Sequence, residues 1–183
     1  PPGHWHYDPQ QGGGRIASEV CHFVDLIQYL AGSVPIRVYA ETLTSSGSNP
    51  GENVHINLKM ANGAAGSINY LSRGDKRYPR ERIEVFGGGA VGVIDNFKMA
   101  TFTRGGRRWR KRRWISVDRG HRDEVELLFD AIRNAKAVPV GFEEYVYATM
   151  TTFAIEESLR TGKPIAITPK SLEGVRDNAN PSF

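Results

Sequence analysis

Hydrophobic positions along the chain follow two periods, one near 3.6 residues and one of two. From Arg15 to Ala31 the residues Ile16, Val20, Phe23, Val24, Ile27, Leu30 and Ala31 gather on one side at about 100° per residue, which predicts a helix. Gly32 and Pro35 predict its end. The period then drops to two. Residues 36–45 alternate, and so do Val54, Ile56, Leu58 and Met60. Asn62-Gly63 is a hairpin turn signal, and 64–72 returns as the partner strand. Residues 73–80 read as a charged connection. Strands follow at 81–86 and 90–95 around Gly87-Gly88-Gly89, and a further hairpin, 98–104 with 107–117, turns at Gly105-Gly106. The 3.6 period resumes at 121–136, with Val125, Leu128, Ala131, Ile132 and Ala135 on one stripe and acids in the first turn, where the helix dipole favours them. A last helix, 142–160, is closed by Gly162 and Pro164. Six or seven hairpin-linked strands make an antiparallel sheet, and helices at the two ends of the chain cover one face of it. The expected fold class is α+β, a two-layer sandwich forming one domain over residues 1–183.

Composition narrows the setting. Hydrophobic residues make up 39% of the 183, an ordinary globular share that excludes a disordered chain. A single cysteine, Cys21, excludes an internal disulfide framework and cysteine-rich zinc ribbons. No apolar run reaches the roughly 18 residues of a membrane span, and Pro1-Pro2-Gly3-His4-Trp5 lacks the features of a secretion signal. The expectation is a soluble cytoplasmic protein with no membrane partner. The net charge of +4 is concentrated: between Arg104 and Arg122 stand nine basic residues and one acid, Asp118, so the rest of the chain is mildly acidic.

Candidate chemistry is richest on the first helix. At helical spacing Ser18, His22, Asp25 and Tyr29 form one polar stripe opposite the apolar face, directly after Gly12-Gly13-Gly14. A glycine run leading into a helix lets a ligand approach backbone N–H groups, and histidine exchanges protons near neutral pH. The plain alternative is a solvated helix face behind a flexible loop. Cys21 beside His22 points about 100° away and is not expected to act as its nucleophile. His4, His6, His55 and His121 are scattered, without metal-ligand spacing.

The second candidate is the basic stretch Arg107-Arg108-Trp109-Arg110-Lys111-Arg112-Arg113-Trp114. Basic residues interleaved with aromatics can grip phosphates and stack bases. As a strand, however, Trp109 and Trp114 face opposite ways, so a charge-blunted edge hairpin is the plainer reading. A contact with an anionic substrate, such as a nucleotide sugar, or with acidic groups of a domain outside this chain is the next alternative, and nucleic acid is not the expected partner.

Residues 12–26, Gly-Gly-Gly-Arg-Ile-Ala-Ser-Glu-Val-Cys-His-Phe-Val-Asp-Leu, resemble the motif GGGxLxDxGxHxxDL. That motif opens the C-terminal domain of the glucose-fructose oxidoreductase/inositol dehydrogenase/rhizopine catabolism (Gfo/Idh/MocA) family. Ile83-Glu84-Val85-Phe86-Gly87 with Gly92-Val93-Ile94-Asp95-Asn96, and then Glu157-Ser158-Leu159-Arg160-Thr161-Gly162-Lys163-Pro164, are similar to two later family motifs in the family's order.

The resemblance implies a fold like the C-terminal domain of glyceraldehyde-3-phosphate dehydrogenase. It also implies the substrate side of an oxidoreductase that uses NAD or NADP on a sugar, inositol or related polyol. His22 takes the position of the proton donor or acceptor, or of the substrate orienter; Arg15, Ser18, Glu19 and His22 are the expected substrate-binding positions, and Asp25 is expected to support them, hydrogen-bonding locally to hold the helix or the histidine. Two departures matter. The family aspartate is Ser18 here and a glycine is Val20, so either Ser18 or Glu19 takes the aspartate's place. No GxGxxG opens a strand–helix unit, so the N-terminal Rossmann domain is expected to lie outside this chain, and the chain alone is expected to be inactive and to bind neither NAD nor NADP. The uncovered sheet face, with apolar residues read on both sides of strands 54–60 and 64–72, leads to an expected homo-oligomer joined sheet to sheet. The competing class is a non-enzymatic module using the basic hairpin 104–114 for nucleic acid or an acidic partner.

Overall fold

The computed structural model describes residues 14–43, 53–112, 120–138 and 140–168. A π-helical turn, Ile16–Val20, leads into α1, Cys21–Ala31. Three strands follow: β1 Pro35–Thr42, β2 Asn53–Met60 and β3 Ala65–Leu71. After them come β4 Arg82–Gly87, β5 Ala90–Asp95, β6 Met99–Arg104 and β7 Arg107–Arg112. The chain then forms α2 His121–Arg133, α3 Phe142–Thr161 and the two-residue β8, Ile165–Ala166. The α+β class and the antiparallel pairing read from the sequence hold.

Where the sequence suggests one sheet and one domain, the structure has two four-stranded sheets, ordered β3-β2-β1-β8 and β4-β5-β6-β7. They belong to two compact units, residues 1–73 with 140–183 and residues 74–139. The reason lies in the connections. Tight turns such as Asn62-Gly63 and Gly105-Gly106 force neighbouring strands to pair, whereas residues 72–81 between β3 and β4 are long enough to release β4 from its predecessor.

The first unit holds the main core. Ile16, Val20 and Val24 meet Val38 and Ala40 of β1, Val54, Ile56, Leu58 and Met60 of β2, Ile68 of β3, and Ala148, Ala154 and Ile155 of α3. All the alternating apolar residues of β2 therefore lie on the face covered by helices. The opposite face carries His55, Asn57, Ser67 and Asn69, all exposed and hydrogen-bonded to one another: Ser67 donates to Asn57 at 2.8 Å, and the Asn57 amide lies 3.2 Å from the His55 Nε2. That corrects the reading of apolar residues on both sides: Ile68 and Tyr70 turn inward, and only Leu71 turns out, 57% exposed.

Two details of α1 also depart from the periodic reading. Leu30 is exposed rather than on the apolar stripe, and Gln28 is buried in its place, its amide donating to the Glu144 carbonyl at 3.2 Å. The helix ends as expected, with Gly32 at φ +57° and the Ser33 N–H donated back to Gln28 O, a left-handed closure that a side chain would strain.

Within the second unit α2 buries Ala131 but leaves Val125, Leu128 and Ile132 about half exposed or more, and Ala135 lies beyond the helix at φ +47°. The expectation that both C-terminal helices cover the same sheet is met by α3 alone. β7 lies at one edge of its sheet, as its charge suggests.

Candidate functional site

The site is built on the turn that introduces α1. Over Ile16–Val20 the backbone takes the wide i→i+5 winding of a π-helix, a form that recurs at functional positions. The sequence reading assumed a uniform α-helix and missed it, because periodicity at one angle cannot show one inserted residue. Ser18 takes part in the local geometry by donating its hydroxyl to the Gly14 carbonyl at 2.8 Å. Ile16 and Val20 anchor the turn in the core, and the residues between and after them turn outward.

His22 is exposed, Asp25 is half-buried and Tyr29 is 78% exposed, so the polar side of α1 faces away from the sheet. Glu19 is exposed one turn before His22. Arg15 goes elsewhere: its Nη1 donates to the Tyr70 hydroxyl on β3 at 3.1 Å, and the Tyr70 ring packs against Phe23 at a centroid distance of 6.4 Å. Of the sequence-predicted site residues, His22 and Asp25 are brought into electrostatic contact, Ser18 is tied to the turn, and Arg15 is drawn over β3.

Asp25 does not hold His22 by a hydrogen bond; among the described residues neither side chain makes one. Their coupling is through the field. Burial pushes the Asp25 carboxyl above its ordinary range, the carboxylate of Glu144 on α3 adds to the rise, and His22 pulls it back down. Glu144 is the neighbour that sequence reasoning overlooked. It stands in the first turn of α3, where its carboxylate caps the Gly141 N–H at 3.4 Å, so in sequence it reads as a helix cap and nothing more.

The raised Asp25 carboxyl has a testable consequence. A carboxylic acid whose pKa is higher in the folded state costs stability once both states are ionised. Asp25→Asn is therefore expected to raise stability near neutral pH, and the gain should fade as pH falls toward the ordinary aspartate range, where the acid is protonated folded or unfolded. Denaturant titrations of both proteins from neutral to acid pH measure it, and a gain that persists at acid pH would contradict this origin.

Cys21 is half-buried, and burial pushes its thiol above the ordinary cysteine value, which disfavours the thiolate a nucleophile needs. Among the described residues no group of three or more His, Cys, Asp or Glu could hold a metal ion, and no helix is long and apolar enough to cross a membrane. His4 and His6 lie outside the described residues, as do Arg113 and Trp114. In the basic strand β7, Trp109 packs against Phe102 of β6 at 5.7 Å.

A family model described as the GFO/IDH/MocA C-terminal domain matches residues 1–112. No curated protein sequence matches the chain. Among solved structures, the aldose-aldose oxidoreductase of Caulobacter crescentus in complex with glycerol is 17% identical, with a TM-score of 0.74 over 91% of this chain and 51% of that one. An NAD binding oxidoreductase from Klebsiella pneumoniae is 20% identical, with a TM-score of 0.74 over 91% and 54%. A levoglucosan dehydrogenase in complex with NADH is 18% identical, with a TM-score of 0.75 over 91% and 54%. The likeness shows a shared fold, and the chain spans about half the length of these structures.

Proposed function

From the premise that the chain belongs to the GFO/IDH/MocA C-terminal domain family, we propose that it is the substrate-side domain of an NAD(P)-dependent oxidoreductase acting on a sugar, inositol or related polyol. The observation that carries the reading is the exposed His22, presented by a helix whose other side is locked into the sheet and whose neighbour Asp25 is half-buried. The similar structures include an aldose-aldose oxidoreductase and a levoglucosan dehydrogenase with NADH, which supports the choice of substrate class and cofactor.

Every strand pairing among the described residues is antiparallel, so those residues form no parallel strand–helix–strand cradle for a dinucleotide. The cofactor, which supplies hydride transfer when bound, therefore belongs to a separate nucleotide-binding domain in this proposal. The present chain supplies the proton side. His22 gives a proton to, or takes one from, the hydroxyl oxygen at the reacting carbon. Asp25, one turn further along α1, is coupled to His22 through the field and is read as its support. Glu19 and Ser18 flank it at the start of the helix, Arg15 stands at the β3 border, and all three are read as substrate-binding positions. The test is turnover of NAD or NADP by the protein joined to such a domain, with aldoses, inositol and anhydrosugars as substrates. Failure with every one of them would overturn the reading.

The open face of β1–β3 is also proposed to join two copies of the chain. Its cross-strand side chains are already ordered by hydrogen bonds, so pairing them costs little further entropy. Light scattering at tens of micromolar is expected to give a dimer or larger assembly, and a monomer mass would refute it.

A further inference from the structure

The basic stretch that the enzyme reading leaves unused forms a concave surface inside the second unit. A cavity of about 560 Å³ lies there, within the size range of small-molecule sites. Its walls carry Lys76, Arg77 and Arg80 from the segment after β3, Lys98 from the β5–β6 turn, and Arg110 and Arg112 from β7. Asp95 is the one carboxylate among the lining residues. We propose that this cavity binds the phosphate group of a small phosphorylated molecule.

The arrangement is ordered from three directions. Arg110 and Arg112 are alternate residues of β7 and so share a face, opposite Thr101 and Met99 of β6. Arg110 donates its Nε–H to the Met99 sulfur at 3.0 Å, which steers the guanidinium without neutralising it. Lys76, Arg77 and Arg80 come from a turn organised by Asp75, which accepts the Arg77 N–H on its side chain at 2.8 Å and the Tyr78 N–H on its carbonyl at 3.0 Å. Lys98 is brought in by the turn Asn96-Phe97, whose residues both have left-handed backbones, φ +47° and +52°. A phenylalanine there is strained where glycine would not be, and such strain gathers at ligand sites. Lys98 closes the turn by donating its N–H to Asp95 O at 3.0 Å.

Charge decides the ligand class. Among the described residues, none of Lys76, Arg77, Arg80, Lys98 and Arg110 is joined to a carboxylate in an ion pair. Five such cations around one carboxylate repel one another, and a bound anion relieves that repulsion. A carboxylate ligand brings two acceptor oxygens and one charge, whereas a phosphate presents three strong acceptor oxygens and up to two charges. A nucleic-acid strand would stack its successive bases on several rings, but the lining holds one, Tyr78, while Trp109 alternates to the face opposite Arg110 and packs on Phe102.

The test uses the full chain and pyrophosphate as probe, titrated by calorimetry at fixed ionic strength. Saturable one-site binding is expected, weakened about tenfold or more by Arg110→Gln/Arg112→Gln and likewise by Lys76→Gln/Arg80→Gln. The double variant Arg104→Gln/Arg107→Gln removes the same charge at the far end of the same hairpin, outside the cavity, and should change affinity by no more than about twofold. Circular dichroism confirms that each variant is folded, and the two cavity doubles guard against the loss of either one. Absence of saturable binding, or equal weakening in all three doubles, would overturn the proposal. So would tighter binding of a short single-stranded RNA with equal sensitivity to all three, which would make the hairpin a nucleic-acid surface.

Discussion

His22→Ala is expected to lower the turnover of the protein that joins this domain to a nucleotide-binding domain by about 10²–10⁴, the usual worth of a positioned acid–base group. The expectation follows from where the side chain stands. It is exposed on α1, outside the core cluster built from Ile16, Val20 and Val24, so its removal creates no cavity and breaks no hydrogen bond among the described residues. Thermal stability should accordingly shift by no more than about 0.5 kcal/mol. A loss of activity with unchanged melting separates a chemical role from a structural one. His22→Gln, which can hydrogen-bond but cannot carry a proton at neutral pH, should stay near the Ala variant in kcat. If either variant keeps full turnover, the proton role of His22 is wrong, whatever the fold.

Ser158→Ala is expected to destabilise the first unit by about 1–3 kcal/mol, a large effect for the loss of one oxygen. Ser158 is fully buried on α3. Its hydroxyl donates to the Lys163 carbonyl at 2.7 Å and accepts the Ala40 backbone N–H at 3.0 Å. The short strand β8 pairs with β1 only at Arg37 and Val38, so beyond it the Ser158 oxygen takes the place of a strand neighbour for the β1 backbone. Alanine would leave a buried N–H and a carbonyl without partners, and a buried polar group without a partner costs more than its bond contributed. Thr149→Ala is the control: its hydroxyl also bonds a backbone carbonyl, Tyr145 O at 3.0 Å, but at an exposed position. It should move stability by no more than about 0.5 kcal/mol. Equal melting temperatures for Ser158→Ala and the unaltered chain would show that the bridge between α3 and β1 carries no weight.

The same residue shows how much the sequence held. The stretch Glu157 to Pro164 could be read as a family motif and as a helix end, and the helix does end at Gly162, φ +66°. That its serine bonds the backbone of a strand 118 positions away is a tertiary fact with no local signal. Likewise the alternation of Val54, Ile56, Leu58 and Met60 determined which side of β2 is buried, because side chains repeat every two residues in any strand. Local rules fixed helices, strands, the tight turns and the polar side of α1, since each depends on residues within a few positions of one another.

Four features needed the folded chain. The division into two sheets depended on where residues 72–81 carry the backbone, and hydrophobic period says nothing of that. The π-helical turn before His22 widens the winding without changing the composition, so a fixed angle per residue passes over it. The pairing of Asp25 with Glu144, and the convergence of Lys76, Lys98 and Arg110 on one cavity, bring together side chains far apart in sequence. Periodicity and turn chemistry act between near neighbours, whereas electrostatic neighbourhoods are set by packing, and only the tertiary structure states who the neighbours are.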